Sequence, residues 1–288
     1  MVTAQDSKEK NKVAALSVLA AIGLVAFKLI VGITTGSLGI LSEALHSAFD
    51  SISALVTWLA VRMSDKPADK DHNFGHGKIE NFSALIESFL LLLTCTWIIW
   101  EAIERLTSKH TEITVGFWSF TVVIISIFVD IGRAKALKKA SQKFRSQALE
   151  ADALHFSTDI WSSVVVLIGI ICAYFKIYSA DAIAALCVAI IAIWVSIRLS
   201  IRAIDQLLDK APDGLNEKVS ELIATVDGVI LSHDLRVRCS GAVYIIDVNI
   251  HVSPSLTIVE AHDISEKIEK LLRTNIGESI INVHIEPA

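Results

Sequence analysis

Cysteine and proline are both scarce in this sequence, with four of each among 288 residues. The cysteines form no C-x-x-C pair, and three of them fall in apolar stretches. The chain therefore has neither a disulfide framework nor a thiolate zinc site. Charged residues are also few, at 20%, and the net charge of -5 gives no support for nucleic-acid binding. The composition is too apolar for a disordered chain and too poor in glycine for a collagenous one.

Apolar residues are abundant instead, at 53%, and they are concentrated before residue 208. Six stretches are long enough to cross a bilayer core of about 30 Å as helices. They are residues 13–33, 39–61, 82–103, 114–132, 153–175 and 182–204. We therefore predict an integral membrane protein with an N-terminal tail (1–12), a membrane domain of six helices (13–211) and a soluble domain (212–288).

Lysine and arginine are distributed unevenly between the two sides of these spans. Thirteen lie in the tail and in the connections after spans 2 and 4, against three in the connections after spans 1, 3 and 5. Because positive charge favours the cytoplasmic side, we expect both termini and the soluble domain in the cytoplasm.

The soluble domain shows the pattern of a small α+β fold. Helical spacing covers residues 214–226 and 258–272, and strands are predicted at 229–239, 242–252 and 279–286. In the second strand apolar residues alternate with Asp247, Asn249 and His251, which share the opposite face. The order α-β-β-α-β predicts two layers, with helices packed on one face of a sheet.

Spans 2 and 5 contain the same motif, acid-Ala-Leu-His-x-x-x-Asp. It places His46 and Asp50 in one helix and His155 and Asp159 in the other, each pair on one helix face. Ionisable groups at membrane depth normally face a partner or an aqueous cavity. Two imidazoles and two carboxylates suit a tetrahedral zinc site, although each pair alone could be a hydrogen bond within its own helix.

Other polar residues near these spans leave alternatives open. Glu43 and Asp152 precede the two histidines by three residues. They are either acids on the path by which a metal enters the site or charges at the starts of the helices, at the membrane interface. In the connection after span 2, Asp69, His72 and His76 form either a second metal site or a set of solvated side chains.

Together these motifs resemble the cation diffusion facilitator family over nearly the whole chain. The resemblance rests on both His-x-x-x-Asp pairs, the loop 72–78 (His-Asn-Phe-Gly-His-Gly-Lys), the stretch 233–238 and residues 260–262. It implies a six-helix transporter domain with a cytoplasmic ferredoxin-like domain, working as a homodimer in a bacterial inner membrane and exchanging a divalent metal, often zinc, for protons. The implied transport site is His46, Asp50, His155 and Asp159, and the implied loop site is Asp69, His72 and His76.

The resemblance also implies a metal site in the cytoplasmic domain. The matching positions are His233, His262, His284 and Glu286. Asn249 stands where members with a paired-metal site carry histidine, and His251, on the same strand face, is a candidate substitute. By the same resemblance, Lys78 and Asp209 match an inter-subunit charge interlock.

Several activities are excluded by missing motifs. The sequence has no G-x-x-x-x-G-K-[ST] for ATP and no H-E-x-x-H for a membrane metalloprotease, so we expect neither an enzyme nor a catalytic cofactor. Only neutral imidazole binds metal, so metal and protons compete for the same groups. The expected partners are divalent ions, protons, the bilayer and a second copy, with zinc as substrate and as regulatory ligand. The alternative is a metal sensor that signals through the cytoplasmic domain.

Three further charges lie within the spans. Lys28 is expected to extend toward the interface, and Asp130 to pair with Arg133. For Glu87 the sequence suggests no function.

Overall fold

Six long helices form the first part of the chain. The structure, a computed structural model, describes residues 4–107, 117–174 and 179–288. The tail residues 1–3, residues 114–116 of the fourth predicted span and residue 175 of the fifth lie outside the described residues. The helices are α1 (Ala4–Thr35), α2 (Leu38–Ser64), α3 (Ile79–Thr107), α4 (Phe117–Phe144), α5 (Gln147–Tyr174) and α6 (Ser179–Leu207).

Within the described residues, four of these helices have the length and composition to cross a membrane, against six predicted. They are Gln5–Thr35, Glu43–Ser64, Ile79–Glu104 and Ala185–Leu207. The other two predicted spans, 114–132 and 153–175, both extend into residues outside the described ranges.

Residues 4–12, predicted as a tail, are the first turns of α1. Lys10 is 6% exposed, and its Nζ lies 2.5 Å from Asp65 Oδ1 and 2.6 Å from Glu80 Oε1. Ser64 Oγ donates to the same Glu80 oxygen at 2.9 Å. This buried ion network joins the start of α1, the end of α2 and the start of α3, which explains why the polar segment is helical and not free.

Small side chains line the helix contacts of the membrane domain. Ala14, Ala54, Ala134, Ala148 and Ala153 share one buried cluster with Phe156 and Leu149. In a lipid environment the hydrophobic effect does not drive helices together, so their association depends on close van der Waals packing. Small residues allow the helices to approach closely enough for such packing. Many large apolar side chains point outward instead, and Trp97, Trp100 and Phe128 are more than 70% exposed.

The C-terminal part has the predicted α-β-β-α-β order. Its elements are α7 (Leu215–Ala224), β1 (Leu231–Ser240), β2 (Val243–Val252), α8 (Ile258–Ile276) and β3 (Ser279–Pro287). The strand order is β1-β2-β3, with β1 antiparallel and β3 parallel to β2. Both helices contribute to one apolar core with the sheet. The predicted two-layer fold is thereby confirmed.

The polar face of this sheet is ordered by its register. Leu231, His251 and Glu286 lie side by side across the three strands, and His233, Asn249 and His284 form the next row. A register shift follows His233 in β1. The face opposite the helices therefore concentrates three histidines and a carboxylate within two adjacent rows.

The chain divides into two compact units. One contains residues up to Asp65 together with Ile79–Ala203, and the other contains Lys66–Lys78 together with Ile204–Ala288. The connection between α2 and α3 thus belongs to the same unit as the C-terminal domain.

Candidate metal sites

The two His-x-x-x-Asp pairs meet inside the membrane domain. His155 Nε2 lies 3.3 Å from Asp50 Oδ1 and 3.6 Å from Asp159 Oδ2. All three side chains are at most 16% exposed. Ligand atoms around a tetrahedral ion with bonds of 2.0–2.1 Å are about 3.3 Å apart, so these spacings suit one small divalent ion. The alternative in which each pair is confined to its own helix is wrong, because α2 and α5 share the contact.

The fourth predicted ligand, His46, lies at the rim of this group. Its Nε2 is 4.0 Å from Asp50 Oδ2, and its side chain is 46% exposed. The separation exceeds a tetrahedral edge by about 0.7 Å, which is within the reach of a side-chain rotation. The structure therefore gathers three of the four predicted ligands and leaves His46 adjacent to them.

Lys28 does not extend toward the interface as predicted. It is 4% exposed, and its Nζ donates to Ser47 Oγ at 2.8 Å and to Glu43 Oε2 at 3.2 Å. Both acceptors are on α2, on either side of His46, and a buried cation without such acceptors would be costly. The lysine is therefore a helix-to-helix tie beside the site.

The two acids that precede the histidines have different surroundings. Glu43 is half exposed and paired with Lys28. Asp152 is fully buried, and its Oδ2 accepts a hydrogen bond from Ser17 Oγ at 3.4 Å. Arg133 also donates to Ser17 and pairs with Asp130 at 3.3 Å, as predicted. Burial excludes the helix-start reading for Asp152, whereas Glu43 remains compatible with it.

The loop residues also come together. His72 Nδ1 lies 3.2 Å from Asp69 Oδ1, and His76 Nε2 lies 3.3 Å from Asp69 Oδ2. The backbone N–H of His72 donates to the Asp69 carboxylate, and this bond holds the pKa of Asp69 below its usual value. An ionised Asp69 beside two imidazoles is a ligand set suited to a divalent cation.

The end of this loop is attached to the β1–β2 hairpin of its own unit. Ser240 Oγ donates to Phe74 O at 3.2 Å, and the Arg238 guanidinium lies 4.4 Å from the Phe74 ring centroid. A Cβ on Gly77 would lie 2.7 Å from Ser240 backbone atoms, so only glycine allows this approach.

The predicted charge pair also forms in this unit. Lys78 Nζ lies 2.8 Å from Asp209 Oδ1 within one chain, and the inter-subunit interlock that the resemblance implied stays a prediction. Lys78 holds the pKa of Asp209 below its usual value. Arg238 also approaches the carboxylate, at 3.3 Å.

A third group of ligands lies on the polar face of the C-terminal sheet. His233 Nε2 is 3.1 Å from His251 Nε2, and Glu286 Oε2 is 3.2 Å and 3.3 Å from these two atoms. The triangle matches the ligand spacing around a tetrahedral ion. His251 takes part because it lies opposite Glu286 in the sheet, while Asn249 donates to Glu286 Oε1 at 3.4 Å.

Two other predicted ligands lie outside this triangle. His284 Nε2 is 3.5 Å from Glu286 Oε1 and is 64% exposed, so it adjoins the triangle through the carboxylate. His262 is on α8, exposed, and 3.5 Å from Glu266. Because α8 packs on the apolar face of the sheet, His262 does not join the ligands of its own chain, and its part in a site between two copies stays a prediction.

Comparisons with known proteins agree with this architecture. Residues 14–208 match the family model of the cation efflux transmembrane domain, and residues 211–288 match that of the cation efflux protein cytoplasmic domain. The chain belongs to the cation efflux family.

Individual relatives of this cation efflux protein are of similar length. The cation-efflux pump FieF of Serratia proteamaculans is 29% identical over 279 residues, covering 96% of this chain and 92% of the relative. FieF of Yersinia enterocolitica is 30% identical over 281 residues with the same coverage. A solved MamM-CTD variant is 26% identical and covers 26% of this chain and 96% of that chain, with a TM-score of 0.26.

Membership in the cation efflux family establishes the general activity. The chain is an integral membrane transporter for the efflux of divalent cations, and its family is one of transporters, not of catalytic enzymes. The dimerisation-domain family of residues 211–288 and the membrane-spanning helices support a homodimer in a membrane.

Sequence reasoning left one buried acid near the site without a partner. Glu87 is 1% exposed and accepts hydrogen bonds from Ser53 and Thr57 of α2. The sequence feature that could have indicated this contact is the spacing of Ser53 and Thr57, which lie on the same face of α2 as His46 and Asp50.

Proposed function

We propose that this transporter exports zinc(II) from the cytoplasm in exchange for protons, using one intramembrane site for both. The observation that carries the proposal is the junction of α2 and α5, where His155 Nε2 lies 3.3 Å from Asp50 Oδ1 and 3.6 Å from Asp159 Oδ2. Mixed nitrogen and oxygen ligands at this spacing favour zinc over ions that prefer oxygen alone.

The same residues explain how protons would drive the export. Imidazole binds a metal only when it is neutral, and a carboxylate binds it only when it is ionised, so protonation of the site releases the cargo. On the side with more protons and weaker metal supply, protons displace zinc; on the other side zinc displaces protons. Exchange follows if the site opens to one side at a time.

The orientation and location complete the proposal. The Lys and Arg distribution favours cytoplasmic termini, and bacterial relatives support placement in the inner membrane. In that arrangement the inward proton gradient of the cell drives zinc outward.

The two remaining ligand groups are proposed to bind zinc without carrying it across the membrane. The C-terminal triangle of His233, His251 and Glu286 lies in a domain with no predicted span, so zinc bound there regulates the transporter. A metal that binds one dimer arrangement more tightly than another shifts the population toward it. The loop residues Asp69, His72 and His76 are proposed as an additional zinc site.

Proton movement in reconstituted vesicles tests the exchange. Zinc added outside sealed proteoliposomes should drive protons out of the lumen, recorded as an alkaline shift of a trapped pH dye. Vesicles containing Asp159→Ala should give no shift, because the variant lacks one ligand. Zinc uptake by the unaltered protein without any pH change would show zinc transport that is not coupled to protons.

A further inference from the structure

One face of α2 carries both metal ligands and hydroxyl groups. His46, Asp50, Ser53 and Thr57 follow one another at intervals of four, three and four residues, which places them on a single helix stripe. The first two are proposed ligands, and the last two are the hydroxyls that bind Glu87. Ser53 is one turn beyond Asp50, about 4.5 Å along the axis.

Glu87 binds this stripe with both carboxylate oxygens. Ser53 Oγ donates to one oxygen, and Thr57 Oγ1 donates to the other at 2.9 Å. Ser53 and Thr57 are at most 1% exposed, so neither bond competes with solvent. Hydrogen bonds to a carboxylate are stronger than those between neutral groups, and they hold α2 and α3 in one rotational alignment.

Glu87 connects α3 to α2 through hydrogen bonds to hydroxyl groups and not through an ion pair. In residues 4–107, 117–174 and 179–288, no Lys or Arg side chain forms an ion pair with this carboxylate. The titratable groups Asp152 and His155 of α5 are electrostatic neighbours of this carboxylate. A buried carboxylate costs more than an apolar residue of the same size, so packing alone gives no reason for an acid at this position.

We propose that Glu87 is a positioning residue for transport: by binding Ser53 and Thr57, it fixes the rotation of α2 and aims Asp50 at His155. Side-chain atoms lie about 5 Å from a helix axis, so a rotation of about 20° would displace the Asp50 carboxylate by about 1.7 Å. The spacing of 3.3 Å between Asp50 and His155 would then be lost. The inference rests on the proposed transport site, because it acts through Asp50.

The kinetics of zinc uptake distinguish positioning from support of the fold. The double variant Ser53→Ala with Thr57→Ala should raise the KM for zinc about tenfold, the lower end of the effect of losing groups that orient metal ligands. Its maximal rate per folded dimer should stay within about twofold of the unaltered protein, since only binding is weakened. Glu87→Ala should behave alike, and Glu87→Gln should restore the KM because an amide also bonds two hydroxyls.

Ser51→Ala is the matched control. Ser51 is on the same helix, but its hydroxyl donates to the backbone oxygen of Ser47 at 2.8 Å and not to α3. The control should have the KM of the unaltered protein. If Glu87→Ala does not fold, the double hydroxyl variant still tests the same bonds.

Three results would overturn the assignment of Glu87: a double variant with unchanged KM, a Glu87→Gln variant as impaired as Glu87→Ala, or a KM effect of Ser51→Ala equal to that of the double variant. Asp50→Ala, measured in parallel, tests the transport site itself. Normal uptake by Asp50→Ala would refute the proposed site, whereas an inactive Asp50→Ala beside an unaffected double variant would refute only the role of Glu87.

Discussion

At the scale of single residues, the position of His46 differs from that of the other proposed ligands. Asp50, His155 and Asp159 are already within bonding range of one small ion, while His46 is half exposed and 4.0 Å from its neighbour. The other three ligands are close together without His46. Its side chain can therefore influence which ion binds without being required to assemble the site. His46 is therefore the position at which metal selectivity is most open to change.

Replacing His46 by Asp should shift transport toward manganese and cadmium relative to zinc. The change substitutes oxygen for nitrogen, and carboxylates favour harder or larger ions. The measurement is the ratio of initial uptake rates for the three metals in one vesicle preparation, with His46→Ala as the variant that removes the ligand without replacing it. An unchanged ratio in His46→Asp would show that His46 does not contact the cargo.

The sequence patterns predicted which helix faces carry the histidines and aspartates, but not which of these side chains converge. His-x-x-x-Asp spacing is a local property of a helix, and it correctly placed each pair on one face. Which side chains converge depends on the packing of α2 against α5, which no local pattern contains. Lys28 was mispredicted for the same reason: its acceptors, Ser47 and Glu43, are on another helix.

At the scale of elements, the C-terminal sheet shows how register selects ligands. The family resemblance grouped His262 with His233, yet His262 is on α8, which packs on the apolar face of the sheet. His251 joins the triangle because parallel pairing places it opposite Glu286. Parallel register between β2 and β3 is a long-range property, so alternation along one strand could not distinguish these histidines.

Removing two members of the triangle should weaken regulation and leave transport. The double variant His251→Ala with Glu286→Ala should bind one zinc fewer per chain, measured by titration of the purified dimer, and should retain measurable flux. His262→Ala is the matched control and should keep the full zinc count. Complete loss of flux in a folded double variant would mean that this site is required for transport.

The Lys78–Asp209 ion pair should stabilise the folded protein at neutral pH and lose this effect at acidic pH. Because Lys78 lowers the pKa of Asp209 below its usual 3.8, the contribution is complete at neutral pH and is lost as pH falls through the lowered value. Both side chains are partly exposed, so we expect about half a kcal/mol.

The measurement is the difference in thermal unfolding between the unaltered protein and Asp209→Asn at pH values from 7 to 3. Asparagine tolerates the positive φ of 60° at this position, so the substitution changes charge without straining the backbone. Asp227→Asn, an exposed acid in the same unit, is the control. A difference that grows as pH falls would contradict the account.

At the scale of the whole molecule, composition predicted the class and the fold pattern. Apolar blocks separated by charges predicted a helical membrane domain, and alternating residues after position 212 predicted the α+β domain. Two structural features could not be predicted from composition or from the apolar pattern. The helical start at Ala4 depends on the partners of Lys10 on α2 and α3, and the grouping of Lys66–Lys78 with the C-terminal domain depends on contacts between distant segments.

The central claim is that one site, built by α2 and α5, exchanges zinc for protons. Its most direct test is zinc accumulation by sealed proteoliposomes with an acidic lumen, compared between the unaltered protein and His155→Ala. The account predicts accumulation against the zinc gradient that collapses when a protonophore removes the pH difference, and no accumulation by a folded His155→Ala dimer. Accumulation by His155→Ala at the unaltered rate would contradict it.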